Sequence, residues 1–365
     1  MISRRMKDLH PSGIRRIFDL AAKMENPVNL SIGTAFFDVP EPIKREAIRW
    51  MEKGLNQYVG TQGLTDLRAA LHRHLEKQGV QFDDVIVTSG VTGAFLLTLL
   101  VLVDPGEEVL IPDPRFVMYS PAVELVEGVP KLFSTYPDFR IRVEDIRPLV
   151  SSKTKALVIN SPNNPTGVVY SEDELRAIAA FAREYDLWII ADEIYEHFLF
   201  DGLRFRSIGE FYPKTVLMRG FSKSWAMSGW RIGYIATRRD VIQKMIVAQQ
   251  YSYVCVAPYV QKAALVALEY DGSALIREYE QKRDYVYAEL KDFFHIARPQ
   301  GAFFMFPEAP DGDGDLLVER AIQKNLLLVP GSAFSQQRSH FRISFSASDE
   351  DLKKGITILK QLVHD

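Results

Sequence analysis

The sequence predicts an α/β protein: one mainly parallel sheet with helices on both faces, followed by a smaller α+β unit. Three features carry that prediction. From Asp84 to about Ala267, short apolar runs alternate with helical periodicity, the pattern of repeated strand–helix crossovers. The run DLWIIADEIY, Asp186 to Tyr195, is almost unbroken apolar, as a strand covered on both faces should be. After Asp271 the alternation stops, and a long polar helical stretch gives way to short strands and a closing helix.

Taken in order, GIRRIFDLA near the start reads as an amphipathic helix, and NLSIGTAFF at 29–37 as a short extended lead-in closed by Pro40 and Pro42. A helix is expected from Pro42 to Lys53, then the glycine-punctuated loop NQYVGTQG and the helix LTDLRAALHRHLEKQ. DVIVTSG is a strand followed by the apolar helix AFLLTLLVLV, which stops at Asp104-Pro105-Gly106. EVLIP, KLFST and KALVIN are strands, with the helix SPAVELVEG after the first. Ser171 and Glu174 form a capping box that opens EDELRAIAAFAREY. TVLMRGFSK and GWRIGYIAT supply two more strands, and helices fill Asp240 to about Ala267. In the second unit SALIREYEQKRDYVYAELKDFF is helical, and GAFFMF, LLLVP and HFRISFS are short strands.

The 365 residues are 47% hydrophobic and 25% charged, enough for a large core and two domains. A net charge of −3 gives no electrostatic footprint for nucleic acid or an anionic membrane, and no uninterrupted apolar run reaches spanning length. Cys255 is the only cysteine, which excludes an intrachain disulfide and a CxxC site; it reads as a small core residue. The seven histidines show no metal-ligand spacing. A cytoplasmic, metal-free globular protein is the expectation.

In an open parallel sheet, ligands bind beyond the carboxyl ends of the strands, and the candidate chemical groups fall there. Lys223 follows the buried run TVLM, where partial desolvation favours the neutral amine that can attack a carbonyl. Arg231 lies eight residues on. Ser89-Gly90-Val91-Thr92-Gly93-Ala94 joins a strand to a helix, and its small residues and first free N–H groups suit a phosphate, although a plain tight turn would look the same. NSPNNPTG, Asn160 to Gly167, is a rigid turn that can fix the amide of Asn164, and its Asn164-Pro165 bond is predicted to be cis. Asp192 closes LWIIAD, where a buried carboxylate needs a cationic partner, and Glu193 and Tyr195 follow it. A phosphorylated, aldehyde-bearing pyridine uses all of these groups together. A carboxylate about 4 Å from the ring nitrogen, at an effective dielectric near 20, contributes about 4 kcal/mol, or roughly three pK units, toward keeping that nitrogen protonated.

NSPNNPTG, ADEIYEHF and GFSKSWAMSGWRIGY, in that order, resemble the class I aminotransferases of fold type I, which depend on pyridoxal 5′-phosphate. The resemblance runs from NLSIG to FRISFS and is strongest toward the bacterial and archaeal subgroup acting on aspartate, alanine or aromatic amino acids. It implies a seven-stranded, mainly parallel sheet, with residues 1–40 as an arm and part of the small domain, 41–270 as the large domain and 271–365 as the small one. It further implies that Lys223 forms the Schiff base and shuttles the proton, and that Asp192 pairs with the ring nitrogen. Tyr195 and Asn164 contact the phenolic oxygen, while Phe116 stacks on the ring. Val91, Thr92, Ser222 and Arg231 hold the phosphate. Gly33, Asn164 and Arg342 meet the substrate, with Arg342 gripping its α-carboxylate. Tyr58 reaches the phosphate of the neighbouring subunit, which implies a homodimer. The expected reaction is ping-pong transfer to an oxo acid such as 2-oxoglutarate, with a lyase or decarboxylase as the same-fold alternative. A regulator on this fold would carry an additional DNA-binding domain, for which there is no room ahead of residue 30.

Three positions depart from the family pattern. Gly33-Thr-Ala-Phe-Phe37 makes the substrate mouth apolar, Gly220 replaces a phosphate-binding hydroxyl residue, and Phe304 replaces a tyrosine. No arginine is identifiable for a substrate side-chain carboxylate.

Overall fold

A seven-stranded sheet organises the chain, in a computed structural model that describes residues 2–7, 9 and 13–364. Part of the predicted N-terminal arm, at residues 1, 8 and 10–12, lies outside the described residues. In chain order the strands are β1 (Val28–Asn29), β2 (Asp84–Thr88), β3 (Glu108–Asp113), β4 (Val129–Ser134), β5 (Thr154–Asn160), β6 (Trp188–Asp192), β7 (Thr215–Gly220) and β8 (Gly233–Thr237). Then follow β9 (Phe304–Met305), β10 (Leu326–Leu327), β11 (Val329–Pro330) and β12 (Phe341–Ser344). The large sheet has the order β2-β8-β7-β6-β5-β3-β4. All its pairings are parallel except those of β8, which runs antiparallel to both β2 and β7.

The period-two alternation of the strands divides the core between the two sheet faces. Ile86, Ile111, Val158, Ile190 and Met218 pack on one face with Phe95 and Leu99 of the helix Gly90–Leu102. Val87, Leu110, Leu157, Ile189 and Leu217 pack on the other, against Leu67 and Leu71 of Thr65–Lys77 and Ile178 and Phe181 of Glu172–Glu184. That last helix opens with the predicted capping box of Ser171 and Glu174. Beyond the large sheet, β11-β12-β9 form an antiparallel three-stranded sheet, and β1 pairs with β10 in parallel. No described helix is long and apolar enough to cross a membrane.

Several element boundaries differ from the sequence reading. The apolar helix begins at Gly90 rather than Ala94, so Val91 and Thr92 lie in its first turn. LLLVP is not one strand: Leu326–Leu327 joins β1, while Val329–Pro330 joins β12, so the chain changes sheets at Leu328. DLWIIADEIY leaves the sheet after Asp192, where a turn takes over. The helical stretch after Asp240 breaks between Gln250 and Pro258, and Cys255 in that break is half-buried, not part of the core. The helix Gly314–Gln323 lacks a strong sequence signal because DGDG, 311–314, overlaps its start; Asp313 caps it by accepting from Leu316 N at 3.0 Å.

Candidate active site

Three adjacent strand ends build the floor of a cleft. The register places Asn160 of β5 beside Asp192 of β6, and Asp192 beside Met218 of β7, so β5 and β6 end at one level and β7 runs two residues further, to Gly220. Asn160 stitches them together. Its Nδ2 donates to the Asp192 carbonyl at 2.8 Å, and its Oδ1 accepts from Asn164 N at 2.8 Å. The NSPNNPTG turn thereby holds Asn164 buried at the cleft wall; its Ser161-Pro162 and Asn164-Pro165 bonds are both cis.

Asp192 and Lys223 face this cleft from neighbouring strand ends. Asp192 Oδ2 accepts from Tyr119 Oη at 2.8 Å and Oδ1 accepts from Ile194 N at 3.2 Å. Burial pushes its carboxyl up to about 6, against the pull of those two hydrogen bonds and of Lys223. It is therefore predominantly ionised at neutral pH, yet poorly compensated, which suits a cation in the cleft. Lys223 is pulled down to about 8, chiefly by desolvation and then by the charge of Arg342. Its Nζ donates to the Gly33 carbonyl at 2.5 Å. Below pH 8 the neutral amine decreases about tenfold per pH unit. The rate at which Lys223 captures an added pyridoxal phosphate aldehyde should therefore rise from pH 6 to about 8 and then level off. A rate still climbing at pH 10 would mean that burial does not shift this amine.

Glu193 does not join the cleft. Strand alternation turns it to the opposite side, where its carboxylate pairs with the fully buried Arg219 at 2.8 Å and accepts from Ser207 Oγ at 2.8 Å. Arg219 also pairs with Glu196 at 2.5 Å. Of the groups the sequence placed after Asp192, Tyr195 is the one that lines the cleft. It is buried, and burial pushes its phenol well above the ordinary range.

The opposite end of the cleft is an anion cup. Val91 and Thr92 occupy the first helical turn, whose N–H groups have no intrahelical acceptor. Ser222 and Arg231 complete the lining, with Ser228 beside them. Arg231 has a left-handed backbone, φ 54°, and its Nη1 donates to the Ser228 carbonyl at 2.9 Å. Glycines make the close approach possible. A Cβ on Gly90 would lie 2.7 Å from Arg231 Nη2, and one on Gly233 would lie 2.9 Å from the Arg219 carbonyl. Gly220, where a phosphate-binding hydroxyl was expected, instead faces the Gly233 Cα, with room for a Cβ only at 3.2 Å. Ser222 and Ser228 are the hydroxyls between β7 and β8 that line the cleft. A cup of N–H donors and a guanidinium, an amine, and a carboxylate fit the phosphate, aldehyde and ring nitrogen of pyridoxal phosphate.

Phe116 lines the cleft wall. Arg342, on β12, is 1% exposed. Its Nη1 donates to Asn164 Oδ1 at 3.0 Å and its Nη2 to the Ser31 carbonyl at 2.6 Å. Desolvation pulls it down to about 10. Tyr58 stands apart, 84% exposed and away from the cleft. Tyr119, Asn160, Met118, Ile194 and Ser228 also line the cleft and were not singled out as site residues. Nothing local to Tyr119 shows that its hydroxyl meets a carboxylate 73 residues on.

Residues 25–359 match the family model described as aminotransferase class I and II. The chain belongs to that aminotransferase family. It is 36% identical to the probable aspartate aminotransferase of Methanocaldococcus jannaschii, over 99% of this chain and 100% of that one. It is 37% identical to the aromatic-amino-acid aminotransferase 2 of Thermococcus litoralis, over 100% of this chain and 98% of that one. The crystal structure of the aspartate aminotransferase from Thermotoga maritima superimposes with a TM-score of 0.94 at 32% identity, covering all of both chains. This aminotransferase thus has the fold type I architecture, and transamination is its reaction.

Proposed function

We propose that this aminotransferase binds pyridoxal 5′-phosphate in the cleft and transfers the amino group of an L-amino acid of the aspartate, alanine or aromatic class to an oxo acid such as 2-oxoglutarate. The observation that carries this reading is the convergence of Asp192, Lys223 and the Arg231 cup on one cleft. Lys223 Nζ would hold the cofactor covalently, and Val91 N, Thr92 N, Ser222 Oγ and Arg231 would hold its phosphate. Asp192 would face the ring nitrogen, Phe116 cover a ring face, and Asn164 and Tyr195 orient the phenolic oxygen. When bound, the cofactor supplies an electron sink for the substrate α-carbon.

The side chains do the rest. Lys223 moves the proton from the α-carbon, a task for which an amine pulled down to about 8 is well matched at neutral pH. Asp192, supported by Tyr119, holds a negative charge where it keeps a facing nitrogen protonated. Arg342 receives the substrate α-carboxylate as a planar fork, beside Gly33 and Asn164. It is suited to this because it forms no ion pair with an acidic residue among those described, although it is buried. Among the described residues the cations lining the cleft are Lys223 and Arg231, and both have a task in this reading, so within one protomer none is left for a side-chain carboxylate. That favours neutral and aromatic substrates over strict aspartate specificity. Residues 41–270 would form the large domain and 271–365 the small one, in a cytoplasmic homodimer to which exposed Tyr58 contributes across the interface.

Half-reactions test the proposal. An amino acid alone should bleach the visible absorption band of the cofactor-loaded protein, and 2-oxoglutarate should restore it. Continuous release of ammonia or carbon dioxide, with no restoration, would assign the cleft to another reaction.

A further inference from the structure

Arg342 is held by more than its hydrogen bonds. Its guanidinium carbon lies 4.3 Å from the Phe304 ring centroid and 4.8 Å from that of Phe334, so aromatic rings flank the cation. Its Nε is buried without a partner, and each Nη makes one hydrogen bond to the protein. With rings beside its faces, the remaining donors are directed in the guanidinium plane, where a carboxylate can accept two of them.

Phe334 sits on the segment Gly331–Gln337, which residues following β3 and β4 tie to the large sheet. The Phe334 carbonyl accepts from Arg115 N at 2.9 Å and from Arg115 Nη1 at 3.3 Å. Asp113 accepts from Gln336 N at 3.2 Å and pairs with Arg115 at 3.3 Å. Tyr136 Oη donates to Ser335 Oγ at 3.0 Å, and Arg115 Nε is braced on Ser120 Oγ at 2.8 Å. Three consecutive residues, Phe334, Ser335 and Gln336, are thus each gripped from the large-sheet side. The same β3 loop carries Phe116 and Tyr119 into the cleft.

We propose that Asp113, Arg115 and Tyr136 form a clasp that positions Arg342 by pressing Phe334 against its guanidinium. They are positioning residues for α-carboxylate recognition. This rests on the reading of Arg342 as the α-carboxylate arginine. The clasp acts on affinity for the carboxylate and leaves the proton transfer at Lys223 to other groups.

The test uses cofactor-loaded Arg115→Met and Phe334→Leu, with Phe334→Tyr as the conservative variant and Arg342→Leu as the reference. Phenylalanine and 2-phenylethylamine, which lacks the α-carboxylate, are compared in single half-reactions. Arg115→Met and Phe334→Leu should each weaken phenylalanine binding about tenfold, with the limiting rate and the cofactor spectrum within about twofold of wild type. Reaction with 2-phenylethylamine should not change, Phe334→Tyr should behave as wild type, and pairing Arg115→Met with Arg342→Leu should add little to Arg342→Leu alone. Equal losses on both amines, or unchanged phenylalanine binding in both variants while Arg342→Leu loses about 100-fold, would overturn the clasp and leave the Arg342 reading standing. Unchanged binding in Arg342→Leu would instead remove the reading beneath it.

Discussion

The Lys223→Ala variant, loaded with pyridoxal phosphate, is expected to transaminate at least about 10⁴-fold more slowly than the wild-type chain. Two losses coincide at one atom. The amine that would hold the cofactor covalently is gone, and so is the base that takes the substrate α-proton. Neighbouring groups are poor substitutes: Tyr195 is buried with its phenol raised far above neutral, and Asp192 is committed to Tyr119 and to the Ile194 N–H. The cup around Arg231 is untouched, so the variant should still retain cofactor without covalent attachment. Borohydride should then fix a pyridoxyl group in the wild type, at residue 223, and none in the variant. Turnover within tenfold of wild type would show that another amine serves.

Asp192→Asn is the second large effect, with an expected loss of about 10³-fold in kcat/KM. The substitution keeps size and shape but removes the negative charge. At about 4 Å and an effective dielectric near 20, that charge is worth about 4 kcal/mol to a facing cation, or roughly three pK units. The ring nitrogen would then be largely unprotonated at pH 7, and the sink for the α-carbon electrons correspondingly weaker. Burial already pushes the carboxyl of the cofactor-free chain up to about 6, so lowering the pH below 6 should weaken its capture of pyridoxal phosphate by protonating the same group. The sign follows from the direction of the shift: charge is present above about pH 6 and lost below it. A bound ring cation would pull this limb to lower pH. A kcat/KM for Asp192→Asn within tenfold of wild type would falsify the role given to this carboxylate.

Much of the site was legible because strand ends announce themselves. LWIIAD, TVLM and KALVIN are apolar runs that stop at a polar residue, and in a parallel sheet such stops converge on one edge. Seven residues picked from strand ends and the loops after them, Val91, Thr92, Asn164, Asp192, Tyr195, Lys223 and Arg231, line one cleft with Phe116 and Ser222, which only the family resemblance pointed to. Glu193 and Tyr119 were less legible for opposite reasons. Glu193 borders Asp192 in sequence, but strand alternation sends it to Arg219. Tyr119 is far from Asp192 in sequence, and strand order brings them to 2.8 Å.

The sequence by itself determined the alternating strand–helix architecture, the switch in character after Asp271 and the positions of the amine, carboxylate and arginine, because period, turn chemistry and motif order are local properties. The tertiary structure alone decided that Arg342 is buried between Phe304 and Phe334, that Gly220 packs against Gly233, and that LLLVP is shared between two sheets. Each of these depends on contacts between segments distant along the chain or on how their strands pair. Burial and charge compensation are properties of such contacts, and no window of neighbouring residues contains them.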